Sequence, residues 1–215
     1  MIDVSRFPVV IVASPRTGST ALLKYLANKY SVFGFGEIFM NTHDLINKNK
    51  RTYDEILTQR KMYFEYVKSN RIDYVLKLMP KEINHFSKYE KLLQSNCFKI
   101  RLTRRSLTDQ VASMYVAEKT KIFHTYATDQ TKEYEIKINK IELINCIEHI
   151  SNTNYLVKNI KCDYDILLDY EDLGFLPENA GNQRHTIIFH KPINYQKIKN
   201  TIKEILNSSG AVGEI

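Results

Sequence analysis

The sequence predicts a three-layer α/β/α fold in which helices cover both faces of a central parallel sheet. Short apolar runs rich in β-branched residues alternate with longer segments of helical spacing along most of the chain. The first run, Phe7–Ser14, is apolar at nearly every position, as expected for a central strand that is buried on both faces. Both observations favour parallel strands that are joined by right-handed crossover helices.

The other elements follow in order along the chain. A helix is predicted directly after the first strand, because apolar residues recur there at helical spacing: Leu22, Leu23, Leu26, Ala27 and Tyr30. Further helices are predicted over Tyr53–Lys68, Lys81–Gln94, Ser106–Thr120, Glu133–Lys161 and Tyr195–Leu206. Further strands are predicted over Asp73–Met79, Cys97–Thr103 and Tyr164–Tyr170. In such a sheet, ligands bind at the carboxyl ends of the strands.

The composition is that of a globular protein, and we predict a single domain over residues 1–215. Hydrophobic residues make up 43% of the chain and charged residues 26%, with only 7 glycines and 5 prolines and no repeat or low-complexity linker. The net charge of +7 indicates anionic partners: nucleic acid, an acidic membrane surface and phosphorylated small molecules all fit it. A solvated basic surface with no specific partner is the alternative. The basic residues are scattered, which argues against an unstructured arm that binds nucleic acid.

Three cysteines, Cys97, Cys146 and Cys162, match neither a disulfide framework nor a zinc site and indicate a reducing compartment. The apolar run Phe7–Ala13 is too short for a membrane span and leads into SPRTGS, so it is interpreted as a buried strand and not as a signal peptide. We therefore expect a cytoplasmic protein with no membrane span. No metal is expected, because no histidine has ligand partners at suitable spacing.

The loop after the first strand, PRTGST, is typical of a site that binds an anion. Unpaired N–H groups and the positive end of the helix dipole meet at such a junction, and Arg16 adds a full charge. Gly18 permits close approach of the backbone, while Ser19 and Thr20 add hydroxyl donors. The alternative is a plain strand–turn–helix junction with Ser19 as the helix cap.

The loop differs from that of ordinary nucleoside triphosphatases. Their pattern is GxxxxGK[ST], whereas Ala13 stands here at the first glycine and Ser19 at the lysine. The later strand CFKIRLTR ends in arginine and not in an aspartate that could hold magnesium. An ordinary ATPase or kinase is therefore disfavoured.

A second segment, RRSLTDQVAS, places Arg105 and Ser113 eight residues apart at a strand-to-helix junction. Arginine can bind two phosphate oxygens at once, and a serine two helical turns further on can donate from the same face. Taken alone, this segment would be a helix start with exposed charges, where Asp109 interacts favourably with the dipole.

Together, PRTGST and the Arg105–Ser113 pair resemble the 5′-phosphosulfate loop and the 3′-phosphate motif of sulfotransferases that use PAPS (3′-phosphoadenosine 5′-phosphosulfate). The resemblance covers residues 7–175 and includes the late segment LLDYEDL, but Leu107 replaces a proline that is frequent in the family. It implies a P-loop NTPase-like sulfotransferase fold. It also implies transfer of a sulfuryl group to a hydroxyl of a small molecule, carbohydrate or lipid, with release of the desulfated product PAP.

The resemblance also assigns site residues. The 5′ end of the nucleotide would be held by Arg16, Thr17, Gly18, Ser19 and Thr20, and the 3′-phosphate by Arg105 and Ser113. Lys77 would reach the sulfuryl oxygens, with an exposed edge position as the alternative. A late basic residue, Arg184 or Lys191, would close over the nucleotide.

The general base is expected to be Glu37, in FGFGEIF. No histidine ends the strand YVLKLMP, where cytosolic members of the family carry their base, and the bacterial carbohydrate and heparan-type branch uses a glutamate after the first helix. A carboxylate among the neighbouring phenylalanines would have a raised pKa suited to proton abstraction. An exposed loop glutamate is the alternative interpretation, and Glu82 and His85 are the reserve candidates.

Three other functions stay open. A nucleotide-dependent kinase with a degenerate phosphate loop would need magnesium and prefer ATP over PAP. A non-catalytic nucleotide-binding module would bind PAP without turnover. A basic nucleic-acid binder would show steep salt dependence and no specific need for Arg105. The sequence does not discriminate between acceptors, nor between sulfation of oxygen and of nitrogen.

Overall fold

The computed structural model describes residues 2–36, 53–79, 87–121, 125–126, 134–174, 187–188 and 191–208. The helices in these ranges are α1 (Ser19–Tyr30), α2 (Tyr53–Ser69), α3 (Ser87–Gln94), α4 (Leu107–Thr120), α5 (Lys140–Asn159) and α6 (Tyr195–Ser208). The strands are β1 (Val9–Ala13), β2 (Phe33–Phe35), β3 (Tyr74–Leu78), β4 (Phe98–Thr103), β5 (Thr125–Tyr126), β6 (Ile166–Asp169) and β7 (Ile187–Ile188).

A five-stranded parallel sheet, in the order β2-β3-β1-β4-β6, is flanked by helices. The register of its centre pairs Val9 with Val75 and Ile11 with Lys77. The predicted α/β class with a central parallel sheet is therefore confirmed. A separate two-stranded antiparallel sheet pairs β5 with β7.

Two compact units make up the chain. The first unit comprises Met1–Ala13, Leu22–Arg101 and Lys161–Leu167, and the second comprises Ser14–Ala21, Leu102–Ile160 and Leu168–Ile215. A compact packing unit is not by itself an independently folding domain, so the single domain stays a prediction. None of the helices in the described ranges is both long enough and apolar enough to cross a membrane.

Strand β2 was not predicted, because no element was assigned between the first helix and Tyr53. Its central residue is Gly34, and glycine weakens a strand. A Cβ atom at Gly34 would lie 2.9 Å from Cδ2 of Leu23 on α1, so the absence of a side chain lets strand and helix pack closely. Phe35 is buried and makes edge-to-face contacts with Phe64 (5.3 Å between ring centroids) and Tyr74 (5.8 Å).

Asp165 joins two segments of the first unit that are distant in sequence. Both of its carboxylate oxygens accept from Nη2 of Arg6, at 2.7 and 2.8 Å, and Oδ2 also accepts from the N–H of Lys99 at 2.8 Å. Burial alone would raise the pKa of Asp165, but the hydrogen bonds from Lys99 and Arg6 outweigh it, so the pKa lies below its usual value.

The substitution Asp165→Asn is expected to lower the free energy of unfolding at pH 7 by about 1 kcal/mol, because it removes an ion pair that is partly screened by solvent. A lowered carboxyl pKa contributes stability above the pKa of the unfolded chain and loses it as the pH falls through the folded pKa. Urea titrations of both proteins should therefore differ at pH 7, and the difference should shrink as the pH falls below the usual carboxyl pKa of about 4. Asp163→Asn is the control; an equal loss there, or a difference that persists in acid, would contradict this account.

In the second unit, helices α4, α5 and α6 enclose an apolar core. Its members are Val111, Ala112, Tyr115, Val116, Ile136, Leu143, Cys146, Ile147, Ile150, Ile198 and Ile202. Most of them recur at helical spacing, which is why these helices could be predicted from the sequence.

The predicted helix Glu133–Lys161 is too long at both ends. Helix α5 begins at Lys140, because the Asn139 side chain caps it by accepting from the N–H of Ile141 at 3.0 Å. Residues 134–139 form no regular element, and Ile136 exchanges two hydrogen bonds with the side chain of Asn194. Ile136 therefore joins the core from an irregular segment. For the predicted helix Lys81–Gln94, residues 81–86 lie outside the described residues.

Candidate functional site

The loop between β1 and α1 contains two residues in the left-handed region. Arg16 has φ 63° and Gly18 has φ 76°. Glycine adopts this conformation without strain, whereas at Arg16 it costs energy that other contacts must offset. Helix α1 then begins with a hydrogen bond from the N–H of Ala21 to the carbonyl of Gly18, 3.0 Å long.

Three successive carbonyl groups of this loop accept hydrogen bonds from side chains. The carbonyl of Ser14 accepts from Oγ1 of Thr17 (2.9 Å), that of Pro15 from Nε2 of Gln110 (2.6 Å), and that of Arg16 from Nη1 of Arg104 (3.0 Å). Among the residues that the structure describes, none accepts from the N–H groups of Thr17, Gly18 and Ser19. The loop therefore has satisfied acceptors and unpaired donors at the positive end of α1, as an anion-binding loop requires.

The two motifs identified in the sequence meet within the second unit. Nε of Arg16 donates to Oγ of Ser113 over 2.9 Å, and Ser113 is buried on α4. Sequence spacing alone could not reveal this contact, because it joins residues 97 positions apart.

Arg104 also belongs to the site, although it was not among the predicted residues. Its guanidinium binds the Arg16 carbonyl and lies over the ring of Tyr170, with 4.5 Å from Cζ to the ring centroid. Its Nε is buried and donates to no residue in the described ranges, and an oxygen of Glu171 lies 4.0 Å away. The only signal in the sequence is that Arg104 directly precedes Arg105.

Arg105 faces an acidic turn. Its guanidinium forks the carboxylate of Asp172 (2.7 and 3.3 Å), and an oxygen of Asp169 lies at 3.7 Å. Its side chain is 57% exposed. The structure thus pairs Arg105 with Asp172, whereas Ser113 is paired with Arg16.

The carboxylate of Glu171 binds backbone N–H groups just before the first residue of α4. It accepts from the N–H groups of Arg105 (3.1 Å) and Ser106 (3.2 Å). Burial alone would raise the pKa of Glu171, but these hydrogen bonds and the charge of Arg104 hold it below its usual value. Ser106 caps the same helix by accepting from the N–H of Asp109 at 3.2 Å. The helix start that the sequence indicated is therefore present, and the structure adds its Ser106 cap.

The C-terminal helix α6 adds an aromatic hydroxyl and Lys199, and Lys191 lies just before this helix. Lys199 pairs with Asp109 at 2.6 Å, and Nζ of Lys191, the predicted late cation, lies 5.4 Å from the ring centroid of Tyr195. Burial, assisted by the charge of Asp109, raises the pKa of Tyr195 to about 12, against opposing effects of Arg104 and Arg16. The charges of Arg104, Arg16 and Asp109 therefore all act on the Tyr195 hydroxyl.

Lys77 is buried, with 4% exposure, on an interior strand of the sheet in the first unit. The alternative of an exposed edge residue is therefore wrong. The proposed base Glu37, its reserves Glu82 and His85, and Arg184 lie outside the described residues. In the ranges that are described, no group of three or more histidine, cysteine, aspartate or glutamate residues is arranged to hold a metal ion.

Comparisons with known proteins add no identification. No family model matches the chain. No curated protein matches it either. Among solved structures, the chain is similar to an uncharacterized protein from Eubacterium ventriosum, with a TM-score of 0.35 and 9% sequence identity over 76% of this chain and 91% of that one. Similarity at this level carries no argument about fold or function.

Proposed function

We propose that the protein is a PAPS-dependent sulfotransferase with the P-loop NTPase-like fold of that family. It would transfer a sulfuryl group to a hydroxyl of a small molecule, carbohydrate or lipid and release PAP. The observation that carries the proposal is the hydrogen bond from Arg16 to Ser113, because it joins the two motifs of the resemblance in one unit.

The donors around the loop fit a nucleotide with several anionic groups. Several donors belong to the second unit: the N–H groups of Thr17, Gly18 and Ser19, the charge of Arg16, and the buried Nε of Arg104, which donates to no described residue. Sulfuryl transfer requires neutralisation of charge on the equatorial and leaving oxygens, as phosphoryl transfer does, and these donors supply it without a metal.

A kinase is less well supported by the same residues. Bound ATP brings magnesium, which needs carboxylate or hydroxyl oxygens beside the phosphates. The carboxylates next to this loop are already engaged, since Glu171 binds backbone N–H groups and Asp109 binds Lys199.

Arg105 retains its proposed role toward the 3′-phosphate through an exchange of partners. Its ion pair with Asp172 is largely exposed, and exposed ion pairs are weak. A phosphate dianion accepts a bidentate arginine with twice the charge of a carboxylate. We therefore expect the nucleotide to displace Asp172 from the Arg105 guanidinium.

This exchange predicts opposite effects for its two partners. Arg105→Ala should weaken PAP binding about tenfold, because a charged hydrogen bond is lost. Asp172→Asn should strengthen it about threefold, because a competing carboxylate is removed. The gain should disappear when both substitutions are combined, and Glu148→Gln on the exposed side of α5 should change nothing. Weaker PAP binding by Asp172→Asn would contradict the exchange.

Calorimetric titration of the wild-type protein tests the proposed function. We expect PAP to bind without magnesium and more tightly than ATP with magnesium. The reverse preference would establish a kinase with a degenerate loop. PAP binding without sulfation of any acceptor would indicate a non-catalytic nucleotide-binding module. Steep salt dependence with no need for Arg105 would indicate a nucleic-acid binder.

A further inference from the structure

We infer that Gln110 is a positioning residue that holds the peptide units of the anion-binding loop, and that Asn154 orients its amide. The ligand of that loop rests on the proposed function, whereas the hydrogen bonds are features of the second unit alone. Nothing in the sequence motifs assigns either residue to the site.

Gln110 is a fully buried amide on α4, between Asp109 and the apolar Val111. Its Nε2 donates to the Pro15 carbonyl over 2.6 Å and to Oγ of Ser14 over 2.9 Å. A buried amide is costly unless its donors and acceptors are paired. The Gln110 amide donates hydrogen bonds to a loop that lies about 95 residues earlier in the chain.

Asn154, on α5, determines which way the Gln110 amide faces. Its Nδ2 donates to Oε1 of Gln110 over 3.0 Å, so that the NH₂ group of Gln110 is directed at the loop. Its Oδ1 accepts from the hydroxyl of Ser14 at 2.5 Å. The three side chains form a closed network in which every polar atom has a partner within the second unit.

These bonds orient the loop because the peptide unit is planar. The carbonyl of one residue and the N–H of the next point in opposite directions across a trans peptide. Gln110 binds the Pro15 carbonyl, so the N–H of Arg16 is turned away from Gln110. Arg104 does the same for the next peptide unit, which carries the N–H of Thr17.

Without Gln110, the strained φ of 63° at Arg16 loses one of the contacts that offset it. The peptide unit between Pro15 and Arg16 could then rotate and present its carbonyl dipole to the bound anion. We therefore expect the loss of Gln110 to weaken binding of any phosphate-like anion, and not of PAP alone.

Gln110→Met tests the inference, because methionine has nearly the same shape but cannot donate. Calorimetry with PAP and with inorganic pyrophosphate should show about tenfold weaker binding of both. Thr153→Val is the matched control: Thr153 is equally buried on α5, next to Asn154, but its hydroxyl bonds only to carbonyls of its own helix. It should lower the melting temperature without changing either affinity.

Asn154→Ala provides a milder second variant, since Asn154 is only partly buried. It should weaken binding about threefold in the wild-type background. Its effect should be smaller in Gln110→Met, because its bond to the Gln110 amide is then already changed and its direct contact with the loop is the one to the Ser14 hydroxyl. Unchanged anion affinity in both variants, with PAP bound by the wild type, would overturn the inference and leave the proposed function standing. A wild type that binds pyrophosphate but not PAP would overturn the proposed function, while the response to Gln110→Met would still decide the inference.

Discussion

Replacement of Arg104 by alanine is expected to lower the affinity for PAP about a hundredfold, which is the largest binding defect that we predict for a single side chain. Three effects combine at this position. The site loses a positive charge, the Arg16 carbonyl loses its donor at 3.0 Å, and a buried N–H group that donates to no described residue is removed. Charge-assisted hydrogen bonds in a partly buried site contribute enough, taken together, to reach this magnitude.

Two further variants separate these effects. Arg104→Lys keeps the charge but not the planar fork, so it should recover only part of the affinity. Arg101→Ala removes a similar charge from β4 at a position where the guanidinium lies over the ring of Tyr164, 5.5 Å from its centroid, and it should leave PAP binding unchanged. Calorimetry on all three proteins, with melting temperatures measured alongside, gives the comparison. Equal losses for Arg104→Ala and Arg101→Ala would mean that only the overall charge matters.

Replacement of Glu37 by glutamine is expected to reduce turnover about a thousandfold while PAP still binds normally. An acceptor hydroxyl is a poor nucleophile until a base removes its proton, and loss of a general base typically costs two to four orders of magnitude. Glutamine has the same shape but cannot accept the proton. The expectation rests on the sequence, in which Glu37 stands among phenylalanines in FGFGEIF, because Glu37 lies outside the described residues.

The measurement is the rate of PAP release from PAPS with the best acceptor of a screen, together with PAP titration of the same variant. Glu148→Gln is the control for a glutamate that is exposed on α5. A variant that loses PAP binding as well would show that Glu37 supports the nucleotide site and is not the base. Full turnover in Glu37→Gln would show that Glu37 is not the base, and the same measurement would then be made on variants of Glu82 and His85.

The predicted and described elements agree where the apolar pattern within a segment is enough to define a strand or helix. Strand β1 and helices α2, α4 and α6 begin and end within two residues of their predicted bounds. Burial on both faces gives a strand a continuous apolar run, and burial along one stripe gives a helix a periodic pattern. The predictions were wrong where a single side chain intervenes. Strand β2 was missed because its central residue is Gly34, and glycine is not typical of strands. Helix α5 begins later than the apolar pattern indicates because Asn139 caps it.

The candidate site was predictable only in part. The resemblance led to Arg16, Ser113 and Arg105, and the first two are in direct contact. Arg105 was selected by its spacing from Ser113, yet its guanidinium is paired with Asp172, and the neighbouring Arg104 binds the loop. Adjacent residues at the end of a strand point in opposite directions, so spacing alone does not indicate which of the two arginines reaches the loop.

By itself, the sequence determined the α/β class, the order of most strands and helices, and the position of the loop at the end of β1. These properties depend on patterns within short segments, where each residue's neighbours in sequence are also its neighbours in space. Only the tertiary structure decided that Arg104 and Gln110 hold the loop carbonyls. Those hydrogen bonds join residues 88 and 95 positions apart, and they depend on how helix α4 packs in the second unit, about which no local pattern carries information.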